Sequence, residues 1–191
     1  GGHNYCFPKR RRARIAVKTL ITLITLLIIT APNGYAITDS MQLRGHGNVY
    51  YLSFIKVYKA SLLTKKGADT LNILDPGISK CLKLEYDVSL TSENFIEGAN
   101  TVLERQYSAE QLVTLQQETE ALHRAYQPVQ KGDSYQLCYN SDSATTTLSL
   151  NGRDLVSISS KAFSSLYFGI WLSPDNPIDK KLQRNLLAGK N

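Results

Sequence analysis

The sequence VYYLSFIKVYKASLL at residues 49–63 is the strongest structural signal in the chain. It is dense in aromatic and β-branched side chains, which favour β-strands because they pack well on a pleated, half-buried surface. The stretch predicts either a β-hairpin or one long bent strand. Lys65-Lys66-Gly67 ends it, and Pro76-Gly77 marks a turn before the next regular element.

Further strands are indicated by alternating apolar and polar residues downstream. LKLEYDVSL at residues 82–90 has the alternation of a half-buried strand, and residues 135–139 repeat it. Residues 145–150 and 154–159 flank Asn151-Gly152, a pair that supplies the two positive-φ positions of a type I′ turn. They therefore predict a second hairpin.

Two pairs of helices are indicated by a change to helical spacing. We expect these helices at residues 93–106, 109–125, 161–171 and 178–187. Ser108 and Gln111 form a capping box that opens the second helix, and Pro177 is suited to the first position of the last one. The order of strands, two helices, strands and two helices predicts an α+β fold, an antiparallel sheet with its helices gathered on one face.

The N-terminal segment has the three parts of an export signal. Lys9–Lys18 is cationic, Thr19–Ala31 is an apolar or hydroxyl stretch of 13 residues, and Gly34-Tyr35-Ala36 offers small residues for cleavage. A membrane-spanning helix needs about 20 apolar residues, so we expect residues 1–36 to be removed near Ala36 rather than retained as an anchor. Residues 37–191 then form one periplasmic domain that meets the membrane only transiently, through its signal.

The net charge of +6 resides in this N-terminal segment. Six of the 22 basic residues lie between Lys9 and Lys18, and no acidic residue precedes Asp39. The remaining 16 basic residues therefore balance the 16 acidic ones. A neutral domain lacks the basic surface that nucleic acid requires, so nucleic-acid binding is not expected.

Two cysteines, Cys81 and Cys138, follow the predicted signal. Each is out of phase with the apolar residues of its strand, so both point to the sheet face opposite the main apolar set. If the two strands are neighbours, a cross-strand disulfide is possible in an exported protein. The alternative is two small buried thiols that never meet.

Sequence motifs for metal, phosphate or serine-hydrolase chemistry are missing. His46 and His123 are the histidines that follow Ala36, and they lack metal-ligand spacing. The sequence has neither a G-x-S-x-G motif nor a phosphate-binding glycine loop. We therefore expect no metal and no cofactor.

Several short motifs together resemble the bacterial chalcone isomerase-like proteins. The resemblance covers about residues 41–188. It rests on Phe54-Ile55-Lys56-Val57-Tyr58 with Ala60 and Leu62, on Lys83-Leu84-Glu85-Tyr86, on Gly132-Asp133, on Leu150-Asn151-Gly152 with Leu155, on Phe163 and Phe168-Gly169-Ile170-Trp171-Leu172, and on Asp179-Lys180-Lys181-Leu182 with Leu186-Leu187. The resemblance implies an open-faced β-sandwich, a large antiparallel sheet backed by helices with an apolar cleft between them.

The resemblance does not extend to the catalytic residues of the plant enzymes. Plant members close a flavanone ring, and related plastid members bind fatty acids. Tyr58 stands where the plant strand has a catalytic Thr, the stretch aligned with the catalytic Arg is His46–Tyr51, and Arg44 lies nearby without aligning. The resemblance therefore implies a fold without the plant catalytic set.

We expect a non-catalytic domain that binds an apolar or amphipathic small molecule such as a fatty acid. Tyr50, Tyr58 and Tyr86 offer apolar walls with hydroxyl groups, while Lys56 or Arg44 would pair with a carboxylate. The alternatives are an isomerase or intramolecular lyase with rearranged residues, and an interaction protein whose cleft is filled by its own side chains. Trp171 and its neighbours are expected to pack the core.

Overall fold

The computed structural model describes residues 40–69 and 71–188. In these ranges the chain forms one antiparallel sheet and a set of helices, so the predicted α+β class is confirmed. The strands are β1 Gln42–Tyr51, β2 Ile55–Thr64, β3 Lys80–Tyr86, β4 Ser134–Asn140, β5 Thr145–Leu150 and β6 Arg153–Ser159. The helices are α1 Ser92–Gln106, α2 Ala109–Thr114, α3 Gln116–Ala125, α4 Lys161–Leu172 and α5 Lys180–Leu187. The predicted export signal lies outside the described residues.

The strands follow one another across the sheet in chain order, β1 to β6. Residues 49–63 form most of a hairpin, because the chain reverses at Leu52 and Ser53, both with positive φ. β1 begins at Gln42, well before the predicted stretch. The prediction missed this part of the strand because Gly45 and Gly47 have low strand propensity. The predicted turn at Asn151-Gly152 is confirmed by positive φ at both residues.

One face of the sheet carries the core. Apolar side chains alternate along the strands, and those facing the helices are buried. From β2, β3 and β4 they are Tyr58, Ala60, Leu62, Leu82, Leu84, Tyr86, Tyr135, Leu137 and Tyr139. Helix α4 is buried along most of its length and supplies Phe163, Phe168 and Leu172 to the same core. Burial of these large side chains is the main stabilising contribution to the fold.

The helix ends agree with the sequence in some places and differ in others. The Ser108–Gln111 capping box is present, but the predicted helix 109–125 is divided at Leu115 into α2 and α3. The last helix begins after Asp179, whose carboxylate accepts a hydrogen bond from the Leu182 backbone N–H. Pro177 is therefore not its first residue, because an aspartate cap lies two residues further on.

The structure joins Cys81 and Cys138 in a disulfide. β3 and β4 are neighbours, and these two residues lie directly opposite each other in their register. The bond therefore ties the central strands together across the connection that carries α1, α2 and α3. Within the described ranges, no helix combines the length and the apolar character needed to span a membrane.

Candidate functional site

A cavity of about 120 Å³ lies between the central strands and helices α1 and α4. The sheet contributes apolar and phenolic side chains from β2 to β5, and Phe95, Ile170 and Trp171 close the cavity from the helices. The sheet residues that line it are Tyr58, Leu84, Tyr86, Tyr135, Leu137 and Leu148. The third alternative from the sequence was a cleft filled by its own side chains. The cavity shows that side chains do not fill the cleft completely.

Aromatic rings form one continuous wall of the cavity. The Tyr86 ring meets the edges of Tyr58 at 5.7 Å and of Phe95 at 5.5 Å between centroids, and Phe95 stacks on Tyr126 at 5.1 Å. Edge-to-face and offset-stacked pairs at these distances are favourable and hold the rings in fixed orientations. The wall is therefore preformed rather than assembled by a ligand.

The Tyr58 hydroxyl is held by Trp171. The indole Nε1–H of Trp171 donates a hydrogen bond to Tyr58 Oη at 3.1 Å in the buried interior. An indole N–H only donates, so the Tyr58 oxygen acts as the acceptor and its own hydrogen is left to donate elsewhere. No described residue accepts that hydrogen, so it is available to a molecule in the cavity.

The other tyrosines of the wall differ in how far their hydroxyl groups are satisfied. The Tyr86 hydroxyl makes no hydrogen bond to a described residue, although the side chain is buried. Tyr135 is satisfied, since its hydroxyl donates to the Gln127 carbonyl at 2.8 Å and accepts from the Gln127 N–H at 2.7 Å. The Tyr126 and Tyr167 hydroxyls bond each other at 2.9 Å. That bond uses only one of their two hydroxyl hydrogens. Tyr58 and Tyr86 are thus the two wall tyrosines whose hydroxyl hydrogen has no acceptor on any described residue.

Burial keeps these phenols protonated. Desolvation raises the pKa of Tyr58, Tyr86 and Tyr126 well above the ordinary tyrosine value, because the phenolate form would lose its hydration. None of the described lining residues carries a formal charge at neutral pH. The site therefore offers neutral hydrogen-bond donors in apolar surroundings.

The structure brings together two of the five ligand-binding residues that the sequence suggested. Tyr58 and Tyr86 face each other across β2 and β3 and both line the cavity. Lys56 forms an ion pair with Asp87 at 2.9 Å. It therefore does not serve the cavity as a free cation.

Arg44 and Tyr50 also lie outside the cavity. Arg44 is half-buried at the end of the β1–β2 ladder furthest from Tyr58. Tyr50 is 49% exposed near the hairpin turn. Their separation follows from β1 being the edge strand, which packs against α5 and not against the cavity-lining residues of α1 and α4.

The sequence missed the contribution of the helices to the site. Trp171 and Ile170 were expected to be core residues, and they are buried, but they also line the cavity. Phe95 and Tyr126 were not singled out, and helical spacing alone does not separate a cavity wall from a packed core. In the described ranges, no three His, Cys, Asp or Glu side chains gather as metal ligands would.

Comparison with known proteins gives the family. The family model described as chalcone isomerase-like matches residues 30–188. The chain belongs to the chalcone isomerase-like family. A search of curated proteins found no significant match for this chalcone isomerase-like chain.

A solved structure shares the fold of this chalcone isomerase-like chain. It is the crystal structure of a fatty-acid binding protein from Arabidopsis thaliana, with a TM-score of 0.60 and 16% sequence identity. The match covers 78% of this chain and 87% of the plant chain. At this identity the likeness establishes the common fold, which confirms the architecture inferred from the sequence.

Proposed function

We propose that this chalcone isomerase-like domain binds an apolar or amphipathic small molecule in its cavity and does not transform it. The carrying observation is the pair of buried donors, Tyr58 and Tyr86, in a preformed aromatic wall. Pockets with apolar walls and a few fixed polar groups are typical of small-molecule sites. The fatty-acid binding activity named for the Arabidopsis thaliana structure supports a lipid-like ligand.

Cavity size limits the enclosed part of the ligand. A volume of about 120 Å³ is slightly below the roughly 150 Å³ of an engineered protein cavity that binds benzene. A single ring or a short acyl segment matches this space. A medium-chain fatty acid therefore fits better than a long-chain one, with part of its chain outside the cavity.

The polar end of the ligand is an uncharged oxygen acceptor. Tyr58 and Tyr86 donate, whereas no cation among the lining residues stabilises a carboxylate. An unpaired carboxylate in apolar surroundings is strongly unfavourable and takes up a proton instead. A fatty acid would bind here in its protonated form, and a ketone or ester of similar size would bind without that requirement.

Titration calorimetry with octanoic acid and 2-octanone tests this proposal. We expect both to bind, with octanoic acid bound more weakly as the pH rises above its pKa and 2-octanone unaffected by pH. Gly98 lines the cavity, and a Cβ added there would meet no atom within 4 Å. Gly98→Leu should therefore fill the space and weaken the binding of both ligands at least tenfold while the protein stays folded.

The result that contradicts the proposal is the absence of binding by the folded wild-type protein, or equal binding by Gly98→Leu. Conversion of chalcones, followed by absorbance in the same preparation, would favour the isomerase alternative. Tyr58 argues against it, because a phenol occupies the position of the plant threonine.

We also propose that the domain acts in the periplasm after removal of residues 1–36. The cationic and apolar order of the N-terminal segment supports this proposal. The Cys81–Cys138 disulfide is compatible with it, since disulfides persist in oxidising compartments. N-terminal sequencing of protein recovered from the periplasmic fraction should begin near Ile37, and recovery only from the cytoplasm would contradict export.

A further inference from the structure

The turn between β1 and β2 exposes a continuous apolar segment. We call residues 50–55 the hairpin tip. Phe54 is 73% exposed, Leu52 63% and Tyr51 61%. The part of the chain that the structure describes has eight large exposed hydrophobic residues, and five of them are in the hairpin tip. Scattered exposed side chains are ordinary, but a cluster of this kind marks an interaction surface.

The hairpin tip keeps these side chains in an unfavourable backbone setting. Leu52 and Ser53 have φ values of 50° and 66°. Turns with positive φ at both central positions favour Asn and Gly, because a Cβ is strained there. Leucine at such a position brings no folding advantage from burial, since its side chain is exposed. Neither the backbone conformation nor burial favours leucine here, so the exposed side chain itself is the feature that points to an interaction.

The hairpin tip stands at the same end of the sheet as the cavity. The last rung between β2 and β3 pairs Tyr58 with Tyr86, and both residues line the cavity. The hairpin continues beyond that rung through Lys56 and Ile55 to the turn. A surface that holds the hairpin tip would thus lie beside the Tyr58–Tyr86 end of the cavity.

The charges around the hairpin tip are balanced, so they do not oppose contact with a lipid surface. The tip itself has no charged residue, and residues 42–64 contain Arg44, Lys56 and Lys59 but no Asp or Glu. Asp87, paired with Lys56, and Glu85, opposite Lys59 in the register, lie on the β3 side. The hairpin thus presents no carboxylate of its own to anionic headgroups, while its tyrosines have the apolar body and polar group typical of membrane interfaces.

We propose that the hairpin tip inserts into the interfacial region of a lipid bilayer. Leu52, Phe54 and Ile55 enter the acyl boundary, and Tyr50 and Tyr51 remain at headgroup level. This contact places the cavity beside the phase in which apolar molecules dissolve. It goes beyond the transient membrane contact expected from the export signal, and it does not depend on whether the cavity binds a ligand.

Tryptophan fluorescence of full-length variants tests the insertion. Phe54→Trp is mixed with vesicles of phosphatidylethanolamine and phosphatidylglycerol that contain brominated acyl chains. Leu71→Trp is the control, because Leu71 is 94% exposed outside the tip. Trp171 is buried and gives the same background in both proteins. We expect a blue shift and bromine quenching for Phe54→Trp alone.

Vesicle flotation gives a second readout with matched variants. Leu52→Ser/Phe54→Ser should lower the fraction bound about tenfold or more, since two large apolar side chains are lost from the contact. Leu71→Ser/Val113→Ser should bind as wild type does, and the N-terminal segment contributes equally to all three. An unquenched Phe54→Trp, or equal flotation of both double variants, would overturn the proposal and leave a protein partner as the occupant.

Discussion

The indole N–H of Trp171 donates its hydrogen bond to the hydroxyl of Tyr58, joining the C-terminal end of α4 to the β2 strand. This bond fixes a phenol in the cavity wall and orients its remaining donor. Tyr86, its neighbour in the same wall, has a hydroxyl with no such partner among the described residues. The two tyrosines therefore line one cavity but differ in what they contribute to the fold.

Tyr58→Phe and Tyr86→Phe should separate stability from ligand binding. Tyr58→Phe leaves the buried Trp171 N–H unsatisfied, which costs about 1–3 kcal/mol of the free energy of unfolding. Tyr86→Phe should cost less than about 0.5 kcal/mol, because it removes no hydrogen bond within the protein. Both substitutions should weaken the binding of 2-octanone, measured by calorimetry, about fivefold or more. Equal stability of the two variants in urea unfolding would contradict this account.

The sheet could be predicted from the sequence because its side chains alternate where one face is buried. This alternation is visible in residues 49–63 and 82–86. The Asn151-Gly152 pair likewise indicates its turn directly, because both residues favour positive φ. The start of β1 could not be predicted, since Gly45 and Gly47 are selected by contact with α5 and not by strand propensity. Such a contact joins residues more than 130 positions apart and leaves no local pattern.

The cavity was predicted only in part, for a related reason. Tyr58 and Tyr86 belong to strands whose register a sequence indicates, whereas Trp171 and Phe95 reach the cavity from helices. A helical apolar face looks the same whether it meets a packed layer or an empty space. Lys56 seemed free in the sequence, because its partner Asp87 becomes a neighbour only when β2 pairs with β3.

Gly98→Ala should stabilise the protein. Gly98 lies inside α1 with φ in the ordinary range, and an added Cβ would enter open space. Alanine is favoured over glycine in a helix interior by about 1 kcal/mol. Urea unfolding should show a gain of this size. Gly67→Ala is the opposite control. Its added Cβ would also enter open space, but the φ of 79° at Gly67 strains any residue with a Cβ, so this variant should be less stable than wild type.

Gly45→Ala should release α5 from the sheet. A Cβ at Gly45 would overlap the backbone carbonyl oxygens of Asn185 and Leu186, which cannot move without displacing the helix. We expect a loss of about 2–3 kcal/mol in unfolding free energy. In Gly47→Ala the added Cβ would meet side-chain atoms alone, and its tightest contact is Leu182 Cδ1 at 2.8 Å, the end of a flexible side chain. This variant should lose about 1 kcal/mol or less. Equal losses would show that α5 is not held by this contact.

Reduction of the Cys81–Cys138 disulfide should destabilise the domain. The bond joins residues 57 positions apart in sequence. Breaking it raises the conformational entropy of the unfolded chain and lowers the free energy of unfolding by about 2–4 kcal/mol. Urea unfolding with and without dithiothreitol measures the difference. Cys81→Ala/Cys138→Ala should resemble the reduced protein and be insensitive to reductant. A reductant effect that persists in this variant would exclude the disulfide as its cause.

Lys80 should make the stability of the domain depend on alkaline pH. Its ammonium group is fully buried, donates to the carbonyls of Asp75 and Ile78, and lies 4.9 Å from the centre of the Tyr139 ring. Desolvation lowers the pKa of Lys80 from 10.5 to about 8. Between these values the unfolded chain binds a proton that the folded chain has released, so the free energy of unfolding rises with pH, by at most about 3 kcal/mol.

The buried tyrosines act in the opposite direction above pH 10. Their folded pKa values are raised, so the unfolded chain loses its phenol protons first and stability falls as the pH increases further. Urea unfolding across about pH 7 to 11 should therefore show a maximum near pH 10. Lys80→Met should abolish the rise and keep the fall, whereas Lys66→Met, at an exposed position, should retain both. A flat wild-type profile below pH 10 would show that the two carbonyls hold the Lys80 proton against burial.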